Sequence, residues 1–177
     1  MRPPTHLALL AAASLSLAAA CASNQPAGRP AGSDTGVVTH LVDGDTLDVR
    51  IDGRTERIRL IGVDTPESVA PNRPVQCYGA EASTFLATLV PEGTEVRLER
   101  DVVARDDYDR LLAYVYRADD DLLVNLALVE QGYADAVTYG DNEALYPTLA
   151  AAEADARAAG RGLWGVCGGP DVDLPDQ

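Results

Sequence analysis

Alternating apolar and polar residues predict five short strands in the first two thirds of the chain. In the clearest stretch, Leu47, Val49 and Ile51 alternate with polar residues and therefore lie on one face of a strand. The dipeptide Asp52-Gly53 that follows is a strong hairpin turn signal, which predicts antiparallel pairing with the next strand. The predicted strands are residues 37–42, 46–51, 56–63, 94–99 and 111–116.

A different spacing of apolar residues predicts three helices. Phe85, Leu86 and Leu89 recur at helical spacing and define the buried face of the first helix. Asp121 is a suitable N-cap for the second helix, and Gly132 is a suitable residue to end it. The predicted helices are residues 80–89, 122–131 and 147–159.

The resulting order β-β-β-α-β-β-α-α predicts an α+β domain that is mainly a β barrel. Five short strands are the number used by a small closed barrel of the OB type, so we expect an OB-fold five-stranded barrel with three helices. We place this domain, expected to be a monomer, at residues 36–168. Pro, Gly and polar residues predict a flexible linker at 22–35 and a disordered tail at 169–177. The OB fold hosts unrelated activities, so function must be argued from individual residues.

The chain begins with a segment that resembles an export signal. Residues 7–20 are apolar but too few to span a bilayer, which takes about 20 residues. We interpret residues 1–21 as a signal peptide, because small residues directly precede Cys21. The Ala-Ala-Cys ending resembles the lipobox of bacterial lipoproteins, which would make Cys21 the lipidated anchor of an exported, cell-surface protein on the membrane. The alternative is cleavage elsewhere, with Cys21 incidental.

Two cysteines remain if Cys21 carries a lipid. Exported proteins reside where disulfides persist, so Cys77 and Cys167 can pair. Such a bridge closes a loop of about 90 residues and contributes on the order of 4 kcal/mol in the chain-entropy model. The alternative is two free thiols.

The net charge is strongly acidic, at −14, and all 14 basic residues are arginines. This charge repels nucleic acid at long range. It is consistent either with a salty habitat or with a high-GC genome. A local basic groove would offset the repulsion at short range, and its candidate residues are Arg59, Arg73, Arg97, Arg100, Arg105 and Arg110.

Three polar segments carry the residue types that phosphodiester hydrolysis requires: residues 43–46, 59–67 and 106–110. Planar guanidinium groups match phosphate oxygens, and a hard cation held by carboxylates stabilises the same charge. A further carboxylate can deprotonate the attacking water. The candidates are Asp45, Asp64 and Glu67 for an oxygen-only cation site and Arg59 and Arg110 for the phosphate.

The spacing of Arg59 and Asp64 in the second segment bears on where the third strand ends. Arg59 and Asp64 are five residues apart, which places them on opposite faces of a continuous strand. We therefore expect Asp64 to lie beyond the end of the strand. Pro66 keeps Thr65 extended, so the Thr65 carbonyl can also point toward a cation.

Together these segments resemble the staphylococcal-type thermonucleases, a secreted calcium-dependent nuclease family on an OB-fold barrel with three helices. The resemblance covers residues 36–167, with Val42-Asp43-Gly44-Asp45-Thr46 and the run from Arg59 to Glu67 as its most specific parts. It continues through residues 106–116, Asn125 with Gly132, and Gly162-Leu163-Trp164.

The resemblance also implies a role for each site residue. It assigns Asp45, Asp64 and the Thr65 carbonyl to a Ca²⁺ ion. It places Glu67 beside the metal through water, as the general base, and puts Arg59 and Arg110 on the scissile phosphate. Asp43 would orient Asp45 or a metal-bound water. Tyr108 would contact the nucleotide, as would Tyr139, although a shift of one residue would put Thr138 in that second position.

Two features depart from the family pattern. Asp107 and Asp109 lie close to Arg110, and acid beside a phosphate groove weakens substrate binding. Residues 68–76 form an insertion for which the sequence gives no role.

The leading hypothesis is a calcium-dependent endonuclease acting on DNA and RNA outside the cell. The alternatives are a non-catalytic OB-fold module that binds nucleic acid or protein, and a structural lipoprotein stabilised by calcium.

Overall fold

The structure, a computed structural model, describes residues 33–68 and 74–174. The predicted signal peptide, Cys21 and most of the predicted linker lie outside the described residues, as do Arg73 and residues 175–177. None of the helices within the described ranges is long and apolar enough to cross a membrane.

Seven strands are present in the described residues, and five of them close into a barrel. The strands are β1 (Ser33–Leu41), β2 (Thr46–Ile51), β3 (Arg54–Leu60), β4 (Val63–Asp64), β5 (Glu95–Glu99), β6 (Leu111–Arg117) and β7 (Asp135–Ala136). The barrel order is β1-β2-β3-β6-β5, and β5 pairs with β1 to close it. Its strands are antiparallel except β3 and β6, which run parallel.

The barrel interior is filled by the apolar residues that the alternation predicted. Leu47 and Val49 of β2 and Ile58 and Leu60 of β3 are all 0% exposed. Val96 and Leu98 of β5 complete this core together with residues of β6 and the helices. The prediction of an α+β OB-fold barrel is therefore confirmed.

Four helices accompany the barrel in the described residues. They are α1 (Gly79–Leu89), α2 (Val124–Glu130), α3 (Tyr146–Ala158) and α4 (Leu163–Val166). The first three are the predicted helices, with bounds that differ by one or two residues. The fourth is a single turn that packs Leu163 and Trp164 against α3, and a segment so short has no periodicity to predict it.

The third predicted strand ends earlier than expected. β3 stops at Leu60, and Val63–Asp64 forms a separate two-stranded sheet with Asp135–Ala136. The turn at Gly62, which has a φ of 80°, redirects the chain between the two strands. Asp64 therefore lies beyond the third barrel strand.

Both predicted domain boundaries need correction. β1 begins at Ser33, inside the predicted linker, because backbone pairing with β5 recruits residues whose composition resembles a linker. The predicted disordered tail is paired as far as residue 174: Cys77 N donates to Val172 O at 2.7 Å, and Leu174 N donates to Val75 O at 2.9 Å. A disulfide joins Cys77 to Cys167 and holds the two segments together.

Candidate active site

One cleft of about 290 Å³ gathers residues from all of the polar segments and two that the sequence did not single out. It lies where the β1–β2 turn, the end of β3, β4 and the start of β6 meet. Its lining residues are Asp43, Asp45, Arg59, Asp64, Thr65, Pro66, Glu67, Gln76, Arg110, Tyr139 and Asp171.

The turn between β1 and β2 presents Asp45 to this cleft. Asp45 N donates to Asp43 Oδ1 at 3.1 Å, which fixes the turn. Asp45 Oδ2 accepts hydrogen bonds from Thr65 N and Thr65 Oγ1, both at 3.0 Å. Only a glycine fits between the two segments, because a Cβ on Gly44 would lie 2.6 Å from Thr65 Oγ1. Asp45 and Thr65 are therefore held as one unit.

Arg59 is a buried arginine on the outer face of the barrel. Its neighbours Ile58 and Leu60 point into the core, so Arg59 points the other way, and the chain from residue 61 onward covers it to 6% exposure. Its Nη1 donates to Leu60 O at 2.8 Å and to Val63 O at 2.7 Å. Its Nε lies 3.2 Å from Asp45 Oδ1, and its Nη2 donates to Asp64 Oδ1 at 2.8 Å.

The carboxylates around Arg59 share a crowded negative environment. Burial and the charge of Asp45 raise the pKa of Asp43 to about 6. Burial and the charge of Asp64 raise the pKa of Asp135, its partner across the β4–β7 pair, to about 7. Burial also raises the pKa of Asp64, although Arg59 opposes this shift. Such a cluster favours a bound cation.

The donor atoms fit a hard cation, although they are not arranged around one. Within residues 33–68 and 74–174, no group of three or more His, Cys, Asp or Glu side chains is arranged to hold a metal. Asp45 and Asp64 both contact Arg59. Oxygen atoms of carboxylates and carbonyls are the ligands that Ca²⁺ prefers, so the chemistry of the set fits that ion.

Glu67 enters the cleft from a tightly packed backbone. Its backbone N–H donates to Gln76 Oε1 at 2.7 Å, and its carbonyl accepts from Gln76 N at 2.8 Å. The start of α1 packs against the same backbone, since a Cβ on Gly79 would lie 2.6 Å from Glu67 O. Glu67 thus lines the same cleft as Arg59 and Arg110.

Arg110 is positioned by Asp106. Its Nε donates to Asp106 Oδ2 at 2.6 Å, and its backbone N donates to Asp106 Oδ1 at 2.9 Å. Burial alone would raise the pKa of Asp106, but the hydrogen bonds and charge of Arg110 outweigh it and lower that pKa. The nearby acids are not among the cleft-lining residues: Asp107 is exposed, and Asp109 Oδ1 lies 3.6 Å from Arg105 Nε.

The two tyrosines differ in position. Tyr139 lines the cleft, its hydroxyl 3.4 Å from Arg59 Nη2, and burial with the nearby Asp64 raises its pKa to about 12. Tyr108 is 83% exposed and is not among the cleft-lining residues, but its ring centre lies 5.4 Å from Arg110 Cζ. Tyr108 therefore borders the entrance next to Arg110.

The hypothesis of a wider basic groove is wrong for its described members outside the cleft. Arg97 pairs with Glu99 and Asp121. Arg100 pairs with Asp34, and Arg105 pairs with Glu56, in a separate cavity. These arginines therefore neutralise acids of the same chain.

Gln76 and Asp171 are the cleft residues that the sequence did not indicate. Gln76 lies in the insertion to which no role was given, and Asp171 lies in the predicted disordered tail. The signal that could have found them is the pair Cys77 and Cys167, since a bridge between them brings both neighbouring segments together.

Comparison with known proteins agrees with this architecture. The family model described as "Staphylococcal nuclease homologue" matches residues 57–166. The chain is 41% identical over 128 residues to the thermonuclease of Staphylococcus intermedius, covering 72% of this chain and 74% of that protein. It is 39% identical over 134 residues to the thermonuclease of Staphylococcus hyicus, covering 76% and 78%. It is also 37% identical over 129 residues to endonuclease YncB of Bacillus subtilis (strain 168), covering 72% and 60%.

Proposed function

Because the chain belongs to the staphylococcal nuclease family, and is therefore a nuclease acting on nucleic acid, we propose that it is a calcium-dependent endonuclease that cuts DNA and RNA outside the cell. The observation that carries the proposal is one cleft that holds Arg59, Arg110 and Glu67 beside Asp45 and Asp64. A non-catalytic binding module would not need a carboxylate and two arginines at the same point.

The two arginines stabilise the phosphate in the proposed mechanism. The charge on a phosphodiester rises as water adds to phosphorus, and a guanidinium can contact two of its oxygens at once. Arg59 Nη1 is fixed by two carbonyls, so its Nε and Nη2 edge faces the cleft carboxylates. Arg110 approaches from the opposite segment, held by Asp106.

Glu67 is the proposed general base. It accepts a proton from the attacking water as the new P–O bond forms, and the ester P–O bond to the leaving oxygen then breaks. The leaving oxygen takes its proton from solvent. The two hydrogen bonds that Gln76 makes with the backbone of Glu67 support this role, since a base must be held at hydrogen-bonding distance from the water.

The proposed Ca²⁺ ligands are Asp45, Asp64 and the Thr65 carbonyl, with Asp43 orienting Asp45. A bound calcium ion supplies positive charge to the phosphate oxygens and makes a nearby water more acidic. The all-oxygen donor set supports this assignment, as does the raised pKa of Asp43 beside Asp45.

We also propose that the chain is exported and anchored to the membrane through a lipid on Cys21. The disulfide between Cys77 and Cys167 supports export, since such bonds persist in oxidising compartments. Mass spectrometry of the mature N-terminal peptide tests the anchor, and an unmodified cysteine or its loss by cleavage elsewhere would contradict it.

Replacing the proposed base tests the mechanism. We expect Glu67→Gln to lower kcat on single-stranded DNA by about a hundredfold or more, since general-base catalysis contributes about 10² to 10⁴. Initial rates are measured on single-stranded DNA, double-stranded DNA and RNA, with calcium or with a chelator, at low and at high salt. Chelation should abolish cleavage.

Glu81→Gln is the matched control, because it makes the same change on the exposed face of α1. It should cut at the wild-type rate. A Glu67→Gln protein as fast as wild type would refute the mechanism, and undiminished cleavage in chelator would refute the calcium requirement. Raised thermal stability with calcium but no cleavage by the wild-type protein would favour a structural lipoprotein.

A further inference from the structure

The segment after the last helix forms part of the cleft wall. Residues 168–174, here called the C-terminal strap, turn back from Cys167 and run antiparallel to residues 75–77. The bridge between Gln76 and Asp173 and the hydrogen bonds on either side of it make a short two-stranded ribbon. This ribbon brings Asp171 into the cleft that holds Glu67 and Arg110.

Gln76 links the strap to Glu67. Its Oε1 accepts from Glu67 N at 2.7 Å, while its Nε2 donates to Asp171 Oδ1 at 3.3 Å. The Gln76 amide is therefore held on both sides. Since an amide could otherwise rotate and present Nε2 to the Glu67 N–H, the carboxylate of Asp171 fixes the orientation in which Oε1 faces Glu67.

Two further features hold the strap at this place. The disulfide attaches Cys77, the residue after Gln76, to Cys167, the residue before the strap. Asp171 has a φ of 57°, a conformation that L residues rarely adopt. Aspartate tolerates this conformation better than most residues do, so the chain turns there without glycine.

We propose that Gln76 is a positioning residue for Glu67 and that Asp171 of the strap fixes the orientation of Gln76. The strap thus belongs to the catalytic machinery through the backbone of Glu67, and neither Gln76 nor Asp171 touches the reacting phosphate in this scheme. The inference rests on the proposed role of Glu67 as general base.

Substitutions in the full chain test separately the contact between Gln76 and Glu67 and the contact between Asp171 and Gln76. Gln76→Ala removes the acceptor for the Glu67 N–H, and we expect kcat to fall by about tenfold to a hundredfold, the cost of misplacing a catalytic group by about 1 Å. The KM for single-stranded DNA and the half-saturating calcium concentration should change by less than about twofold, since uniform binding is not affected.

Asp171 is tested with two substitutions, one that removes its side-chain oxygens and one that keeps an oxygen but removes the charge. Asp171→Ala frees the Gln76 amide, and we expect kcat to fall by about threefold to tenfold, as a moderate loss of orientation implies. Asp171→Asn keeps an oxygen for Gln76 Nε2 and should restore most of that loss, although it removes the charge. Asp155→Asn is the matched control, because it makes the same change at an exposed position of α3 outside the cleft, and it should cut at the wild-type rate.

The results that overturn the proposal are distinct from those that overturn the proposed function. Wild-type kcat in Gln76→Ala, with Glu67→Gln inactive, refutes the positioning role and leaves the nuclease mechanism intact. An Asp171→Asn protein as impaired as Asp171→Ala, with weaker calcium dependence in both, shows that the charge of Asp171 matters and refutes the orienting role. Circular dichroism melts identify unfolded variants, and if Gln76→Ala does not fold, Gln76→Met replaces it. Methionine has a similar length but no amide oxygen for the Glu67 N–H, so a kcat at least tenfold below wild type supports the proposal and a wild-type kcat contradicts it.

Discussion

At the scale of single residues, the two arginines of the cleft have different tolerances to change. Arg59 is 6% exposed, and its nitrogens bond two carbonyls and two carboxylates. Arg110 is held by Asp106 and keeps 29% of its side chain exposed. We therefore expect a substitution at Arg59 to change both stability and activity, and a substitution at Arg110 to change activity alone.

We expect Arg110→Lys to lower kcat/KM by about a hundredfold, because a point charge cannot replace a fork that spans two phosphate oxygens. The thermal midpoint should stay close to that of wild type, since the positive charge beside Asp106 remains. Initial rates on single-stranded DNA provide the measurement. Arg105→Lys makes the same change outside the cleft, where Arg105 pairs with Glu56, and should leave the rate unchanged. Equal rates for both variants would contradict the role of Arg110.

Residue chemistry allowed much of the cleft to be predicted, but not all of it. Carboxylates and arginines in three segments pointed to Asp45, Asp64, Glu67, Arg59 and Arg110, and the structure brings all five together. Gln76 and Asp171 could not be predicted the same way. They lie 95 residues apart and meet only because the disulfide and the ribbon place them side by side.

Asn125 is a buried residue whose hydrogen-bond partners could not be predicted from the sequence either. The sequence places it on a helix, where an amide usually bonds the backbone. The structure shows that its Nδ2 donates to Ile61 O at 2.7 Å and its Oδ1 accepts from Val115 N at 2.9 Å. Asn125 thus ties α2 to the turn between β3, which carries Arg59, and β4, which carries Asp64. The choice of partners depends on tertiary packing that no local pattern encodes.

At the scale of elements, turn chemistry decided which bounds could be predicted. β2 ends at Ile51 as expected, because Asp52-Gly53 directly follows it. The third strand was predicted to end too late, because one glycine within an apolar run does not by itself indicate a turn. β4 and β7 have two residues each, too few to show alternation. Such short pieces are set by their partners rather than by their own sequence.

The disulfide is the element-scale feature with the largest expected effect on stability. Replacing both Cys77 and Cys167 with serine should lower the free energy of unfolding by up to about 4 kcal/mol, because the unfolded chain regains the freedom of a loop of about 90 residues. Urea unfolding of the oxidised wild type and the double variant measures this difference. Wild type with a reductant should unfold close to the variant, and an oxidised wild type that does so as well would show that the bond contributes nothing.

At the scale of the whole molecule, the acidic charge dominates the approach of substrate. The net charge is −14, and described arginines outside the cleft, such as Arg97, Arg100 and Arg105, pair with carboxylates. Within the cleft, the groups that would attract a phosphate at contact are Arg59 and Arg110. A nucleic acid is therefore attracted by the cleft arginines at contact and repelled by the net charge of the protein at a distance.

The dependence of KM on salt concentration should distinguish the attraction at contact from the repulsion at a distance. Raising NaCl from about 10 mM to about 150 mM shortens the screening length from about 30 Å to about 8 Å, which removes long-range repulsion while short contacts persist. We expect the KM for a single-stranded DNA of fixed length to stay flat or fall over this range, at constant calcium. For a basic nucleic-acid-binding protein, affinity falls steeply with salt. A KM that rises tenfold or more would contradict this picture.

The direction of β1 has a consequence for how the enzyme can be held. β1 runs from Ser33 to Leu41, a path of about 30 Å at about 3.3 Å per residue, and then enters the turn that carries Asp45. Its first residues lie beside the β2–β3 hairpin, since Asp34 shares a cavity with Asp52 and Arg54. A surface attached to the chain N-terminal to Ser33 would therefore leave the cleft facing outward and accessible to long nucleic acids. A surface attached C-terminal to the C-terminal strap would lie next to the cleft and obstruct them.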